Sequence, residues 1–495
     1  MQRDHCNIVL CGGCVFPVLH NAHIEMPGQK QLPAAGGLPI PIVGIGKCGA
    51  YDDDRRFNQD NSHLIGGGKF GGDNHPRWYT ATLKKFTRSD PPFTARTRMQ
   101  SAQETPVIQW TKGEETFSAR WQSERNLAVP GKVMLADDTL TADMAYRLAC
   151  EGNAFLWQSD FQNARQLMQA LVRRVDKNAE HKKSKSAKAG KADVEYPQKF
   201  HLYRQTQAQR ARILGSILIP FNADYSIPLR RAPDVLLACT EAWGEPQVDG
   251  PMIVTSLREM MGVVGAHEWR KKGVDVPALG DPPNNRIHPY YGVFSPVRGE
   301  YVDLVLKAPM PKACEVNGSA VDVGTGTGVL AAVLAQRWLS NIVATDNDPR
   351  ALECAQFNVQ NLGMGKQVKV VQADLFPDSK ADLIVCNPPW LPGKPTSPIE
   401  RAIYDENSGM LKAYLAGLVA HLNAGGEGWL ILSDLAEHLK LRTREELLGW
   451  IELAGLKVLG RMDAKPKHGK AFDASDALFD ARCKEVTSLW RLAAA

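Results

Sequence analysis

The sequence predicts an α/β fold: a doubly wound domain on a largely parallel sheet over residues 286–495, preceded by a smaller, mainly helical domain over 99–285. Three observations carry this expectation. Past Pro282-Pro283 the strand and helix patterns alternate regularly. A glycine-rich stretch, Asp322-Val323-Gly324-Thr325-Gly326-Thr327-Gly328, joins one such strand to the helix after it. Asn387-Pro388-Pro389-Trp390 follows another strand, the apolar run Ala381 to Cys386. Open α/β sheets bind ligands beyond the carboxyl ends of their strands, so both motifs fall where a site is expected.

Residues 1–98 do not read as a folding unit. Twenty-one of them are Gly or Pro and no helical or alternating period persists, so they are expected to be a disordered or non-native extension, with Met99 a candidate start. Cys6, Cys11 and Cys14, with Cys48 further on, have the spacing of plant-type iron–sulfur ligands. Their Gly/Pro-rich surroundings argue against it, and no metal is expected. The apolar run 7–19 is broken by Gly12, Gly13 and Pro17 and lacks a clear cleavage site, which argues against a signal peptide. Nothing reaches the ~18 apolar residues of a membrane span. Ten cysteines without framework spacing suit a reducing compartment, the cytoplasm.

In 99–285 a helix-entry pattern starts at Asp137-Asp138. The stretch 160–174 is a stronger helix: Phe161, Ala164, Leu167, Met168, Leu171 and Val172 share one face, and Arg173-Arg174 suit its carboxyl end. The lysine-rich 177–191 reads as a flexible linker, 206–219 as helix, and 230–265 as mixed short elements. The net charge of +5 is mild, but 173–212 holds twelve Lys/Arg against four Asp/Glu. That concentration reads as a solvated linker or as an arm that follows phosphates.

In 286–495 strands are expected near 319–323, 341–346, 367–373, 381–386, 428–433, 457–462 and 486–491, and helices near 328–338, 349–362, 409–423 and 437–455. The last two strands have no helix of clear period between them, so an antiparallel final pair is expected.

The glycines allow a tight turn and close approach of backbone to a ligand. The pattern is G-x-G-x-G with an acidic residue two positions earlier, not the G-x-G-x-x-G of a dinucleotide turn. Asp346 ends the second strand, where a carboxylate can accept hydrogen bonds from ribose hydroxyls, and Asp374 ends the third. Three acidic strand ends around one glycine turn resemble the class I S-adenosylmethionine-dependent methyltransferases. The resemblance covers about 286–495 and implies a Rossmann-like seven-stranded methyltransferase sheet with S-adenosyl-L-methionine as cofactor. It places Asp322 near the methionine amino group, Asp346 at the ribose and Asp374 at the adenine amino group. Gly324, Thr325, Gly326, Gly328, Asn347, Leu375 and Asn387 are further expected cofactor contacts.

A planar amino nitrogen has its lone pair delocalised, so its N–H groups must be held by acceptors while the nitrogen faces the methyl. The Asn387 side-chain oxygen and the Pro388 carbonyl suit that task, Pro389 adds rigidity, and Trp390 offers a face for stacking, worth ~1–3 kcal/mol against a base. Placement carries most of the rate, with effective molarities of order 10^5–10^8 M in well-oriented cases. The motif resembles that of the N6-adenine, guanine-N2 and release-factor or ribosomal-protein glutamine methyltransferases, although Tyr or Phe is commoner than Trp at its last position. The segment 290–301 resembles the aromatic-and-proline stretch that small-domain and glutamine methyltransferases fold over the cofactor, with Phe294, Arg298 and Tyr301 as candidates; an ordinary domain-joining turn is the alternative. The loop 391–398 reads as a lid or substrate-contact loop. Cys386 reads as a small core residue, and His438 and His468 stand alone.

These signals predict an N-methyltransferase acting on a nucleobase, foremost in RNA or the ribosome. The alternative is a glutamine of a protein such as a release factor or ribosomal protein. A cofactor-binding protein without turnover is a third reading.

Overall fold

The computed structural model describes residues 106–188, 194–467 and 469–495, and the backbone of an antiparallel hairpin, Ile8–Cys11 with Cys14–Pro17. Side chains are described from Pro106 on, except at 180, 182–188 and 470. Apart from that hairpin backbone, the expectations about residues 1–98 and their cysteines, and that for His468, lie outside the described residues. Residues 104–495 belong to one compact unit.

The first domain is not mainly helical. It is built on a mixed six-stranded sheet of β1 (Val107–Lys112), β2 (Glu115–Trp121), β3 (Val133–Ala136), β4 (Ala154–Trp157), β5 (Ile217–Phe221) and β6 (Ile253–Ser256), in the order β1-β2-β6-β5-β4-β3. Helices α1 (Ala142–Cys150), α2 (Phe161–Lys188), α3 (Gln198–Leu214) and α4 (Leu236–Trp243) connect these strands, and α5 (Leu257–Lys272) follows the last of them. Strands β4, β5 and β6 are short and buried at every position. A run of four or five residues buried at every position carries no period, so it cannot be told from a buried helical turn. The stretch 206–219, expected to be one helix, is therefore the end of α3, a turn at Gly215 and the start of β5. Helix α2 does not stop near Arg174 but runs on to Lys188, so most of the expected linker is helical. Lysine favours helix without marking a buried face, which is why the pattern fell silent there.

The second domain is the expected seven-stranded sheet. Its strands are β7 (Ser319–Val323), β8 (Asn341–Asp346), β9 (Val368–Gln372), β10 (Ala381–Cys386), β11 (Leu422–Ser433), β12 (Leu456–Ala464) and β13 (Thr487–Ala494), in the order β9-β8-β7-β10-β11-β13-β12. Pairing is parallel from β9 to β11, and β13 runs antiparallel to both β11 and β12. Alternate residues of the central strands feed two cores. Ala320, Ala344, Leu383, Val385 and Ile431 face α6 (Glu300–Lys307) and α7 (Val329–Gln336), with α8 (Pro349–Asn361) adding Val359. Val321, Val323, Ile384, Leu430 and Leu432 face α9 (Gly409–His421) and, beyond a short α10 (Leu435–His438), α11 (Arg444–Leu453). The single helix expected over 437–455 is thus two, divided where Lys440 takes a φ of 53° and Thr443–Glu446 form a capping box.

The domains lock together around 288–300. The Arg270 guanidinium of α5 lies 3.7 Å from the Tyr290 ring centre. Arg350 of α8 donates to the Tyr291 and Ala242 carbonyls at 3.4 and 3.0 Å and pairs with Glu124 at 3.3 Å. This fixes the segment leading into α6 above the carboxyl edge of the second sheet.

Candidate active site

A cavity of about 1070 Å³ opens at that edge. This exceeds the ~300–1,000 Å³ of a pocket for one small ligand, so it has room for a methyl donor and an acceptor. Its lining includes Asp322, Gly324, Thr325, Gly326, Asp346, Asn347, Asp374, Leu375 and the whole Asn387–Trp390 motif. Phe294, Arg298 and Tyr301 line it too. One expected contact does not. Gly328 is absent from the lining and caps α7 with a φ of 80°, where a Cβ would stand 3.2 Å from the Ala355 Cα. Its glycine serves the close packing of α7 against α8.

On the β7–β9 side the turn is built by carboxylates accepting backbone donors. Asp322 is buried at 1% exposure. Its Oδ2 accepts from Thr325 Oγ1 at 2.6 Å and from the Ala331 N–H of α7 at 3.0 Å. Its Oδ1 has no hydrogen-bond partner among the described residues, an orphaned acceptor on the cavity wall. Burial pushes the Asp322 carboxyl up to about 6. Asp346 accepts from the Gly326 and Asp348 N–H groups, each at 3.0 Å, and burial raises its pKa as well. Asp374 lies two residues beyond the end of β9 and is exposed at the rim. The orphaned Asp322 oxygen suits an ammonium group, and the glycine turn between Asp322 and Asp346 leaves room for the backbone to meet a ligand. These residues therefore fit S-adenosylmethionine.

The acceptor side lies over β10, β11 and β13. Val323 pairs with Cys386, so Asn387 leaves the sheet beside Gly324. Trp390 Nε1 donates to Asn387 Oδ1 at 2.8 Å. Cys386 is fully buried and its thiol pKa is raised well above its usual value by burial, so it is a core residue and no nucleophile. His438 is half-buried and stands 3.4 Å from Asp434, four residues earlier on the same turn. The loop after Trp390 is pinned rather than loose. Leu391–Pro392 pairs with Tyr404–Asp405, and Glu400 accepts from Thr396 N and Oγ1 at 2.8 and 2.7 Å.

Two walls were not anticipated from the sequence. Tyr203, Arg204 and Gln207 of α3 bring the first domain into the cavity. Arg204 donates to the Lys394 carbonyl at 2.9 Å and its guanidinium lies 4.1 Å from the Tyr404 ring centre. Arg482 and Glu485 form the other wall. Glu485 accepts from Ser433 Oγ at 2.8 Å and stands 3.9 Å from Arg298. Arg298 is itself held below its usual pKa by burial. One signal could have pointed to Glu485: it lies two residues before β13, and the start of an antiparallel strand lies at the same edge as the ends of its parallel neighbours.

Residues 284–443 match the profile of the family described as MTS: Methyltransferase small domain. That region is therefore similar to the small-domain methyltransferases. The chain is 26% identical over 157 residues to a release factor glutamine methyltransferase of Rhodopirellula baltica, covering 28% of this chain and 53% of that one. It is 33% identical over 118 residues to a tRNA1(Val) (adenine(37)-N6)-methyltransferase of Pedobacter heparinus, covering 23% and 50%. A ribosomal protein L11 methyltransferase of Pelotomaculum thermopropionicum is 39% identical over 80 residues, covering 16% and 26%. The chain thus spans about half the length of the first two of these relatives and a quarter of the third. Among the described residues no helix is long and apolar enough to cross a membrane.

Proposed function

We propose that the protein is an S-adenosylmethionine-dependent N-methyltransferase whose acceptor is a planar amino nitrogen of a nucleobase in RNA. The observation that carries this reading is the position of Asn387: it leaves the sheet beside Gly324, in one cavity with the orphaned oxygen of Asp322. Asp322 would take the ammonium of the methionine part, Asp346 and Asn347 the ribose, and Asp374 and Leu375 the adenine. Bound S-adenosylmethionine supplies a methyl on a sulfonium sulfur; the N–C bond forms as the S–C bond breaks, a thioether is left, and the nitrogen gives up one proton to water. Asn387 Oδ1 and the Pro388 carbonyl would accept the amino N–H groups and hold the acceptor in the cavity. Pro389 has no N–H to compete. The basic segment 173–212 supports RNA over a free base, because it includes most of α3, which lines the cavity.

A second reading, a glutamine side chain of a release factor or ribosomal protein, is favoured by the segment 290–301, whose Phe294 and Arg298 line the cavity. One experiment separates the two. Extract from cells lacking the protein is incubated with it and tritiated S-adenosylmethionine, then digested with RNase or protease. Label released by RNase alone supports the RNA reading; label that only protease releases supports the second and overturns the first.

A further inference from the structure

The bond from Trp390 Nε1 to Asn387 Oδ1, at 2.8 Å, gives Trp390 a task that stacking does not describe. An indole N–H only donates, whereas an amide has a donor end and an acceptor end. The bond therefore decides which way the Asn387 amide points. A Phe ring has no polar atom, and a Tyr hydroxyl sits at the far tip of its ring; neither places a donor where the indole nitrogen lies. The ring is also not free to follow a ligand. Trp390 is half-buried and packs against the cores on both faces of the sheet, while Pro388 and Pro389 stiffen the chain between the bonded pair.

The consequence falls on the acceptor. Oδ1 has two lone pairs; the indole takes one and leaves the other for an amino N–H. In the flipped amide the NH2 group would meet the indole N–H donor to donor and would present a donor to the acceptor's amino group as well. We propose that Trp390 is a positioning residue that locks the Asn387 amide in the orientation productive for transfer. The inference rests on the reading of the site as an N-methyltransferase.

The test removes the N–H and keeps the ring. In the full-length protein Trp390 is replaced by 3-benzothienylalanine, with Trp390→Phe and Trp390→Ala beside it. The first readout needs no turnover: in protein labelled with 15N at its eleven tryptophans, the Trp390 indole resonance, assigned from Trp390→Phe, is expected to move upfield in Asn387→Ala. The second is methyl transfer to RNA from cells lacking the protein. The benzothienyl variant is expected to lose roughly three- to tenfold in kcat, the effect of one net hydrogen bond, with KM for the RNA within about twofold. Calorimetric affinity for S-adenosylmethionine is expected to stay at the wild-type value, and Trp390→Ala to raise KM in addition. An indole resonance indifferent to Asn387→Ala, a wild-type kcat in the benzothienyl variant, or a defect confined to KM would each overturn the proposal. If the wild-type protein itself transfers methyl to neither RNA nor protein, the reading of the site fails, and the proposal with it.

Discussion

At the scale of single residues, the site separates a group that holds charge from one that holds geometry. Asp322 is the first. Its carboxyl is pushed up to about 6 by burial, and one oxygen has no described partner. An ammonium group pairs with the ionised form only, so S-adenosylmethionine affinity is expected to be highest at about pH 7, to fall as pH drops below about 6, and to fall again at about pH 8 as the ligand's own α-ammonium loses its proton. Asp322→Asn removes the fall on the acid side, and Asp322→Ala is expected to weaken binding roughly 10- to 100-fold, the range for a hydrogen bond to a charged group. Calorimetry from pH 5 to pH 8 checks both, and a wild-type affinity flat across that window would remove Asp322 from the ammonium site. Asn387 is the second group. Asn387→Ala is expected to abolish transfer while leaving cofactor affinity within about twofold; retained turnover would show that the acceptor is held elsewhere. Both residues are legible in the sequence because each belongs to a short motif at a strand end. Gly328 is less legible for the opposite reason, since its conformation answers to Ala355, a residue of another helix. The Glu485 oxygen without a partner among the described residues belongs to the same class of fact, visible only once β13 is known to run backwards.

At the scale of elements, legibility followed length and contrast. The parallel strands β7, β8 and β10 were read to the residue, because each is an apolar run closed by an acidic or motif residue. Strands β4 and β5 of the first domain were lost because short runs buried at every position carry no period. Helix α3 shows what that loss concealed, since it is a wall of the cavity as well as part of the first domain. Arg204 joins it to the loop beyond Trp390 through the Lys394 carbonyl, the Tyr404 ring and, at 3.5 Å, Glu400. Arg204→Ala is expected to free that loop and raise KM for the RNA severalfold with cofactor affinity unchanged, since a stacked guanidinium is worth about 0.5–2 kcal/mol. Arg204→Lys is not expected to restore KM, because an ammonium lacks the planar fork that stacks and donates together. A lysine variant with wild-type KM would show that charge alone matters at this position.

At the scale of the whole molecule, the question is whether the uneven charge serves the cavity. A net +5 on 495 residues is weak attraction by itself, yet twelve of the 59 Lys/Arg lie between Arg173 and Arg212. The sequence shows that concentration but not its position. The fold supplies the link: α2 carries the lysine run as helix to Lys188, Arg210 of α3 pairs with Asp176 of α2 at 3.0 Å, and α3 lines the cavity. Charge along one helix is thereby joined through its neighbour to the place where the acceptor must sit. If that charge meets phosphates, RNA affinity must fall with salt as counterions are released, by roughly 0.7 in the log–log slope per contact on a single strand. Changing Lys182, Lys183, Lys185 and Lys188 together to Gln is then expected to flatten the slope by about 1–3 and to weaken binding at low salt far more than at high salt. The site is untouched, so S-adenosylmethionine affinity is expected to hold, and transfer at saturating RNA to stay near the wild-type rate. Equal slopes for the two proteins, measured by filter binding from 50 to 300 mM salt, would return these lysines to the role of a solvated face. The glutamine reading would then be the stronger of the two, since the cavity-lining segment that favours it does not depend on them.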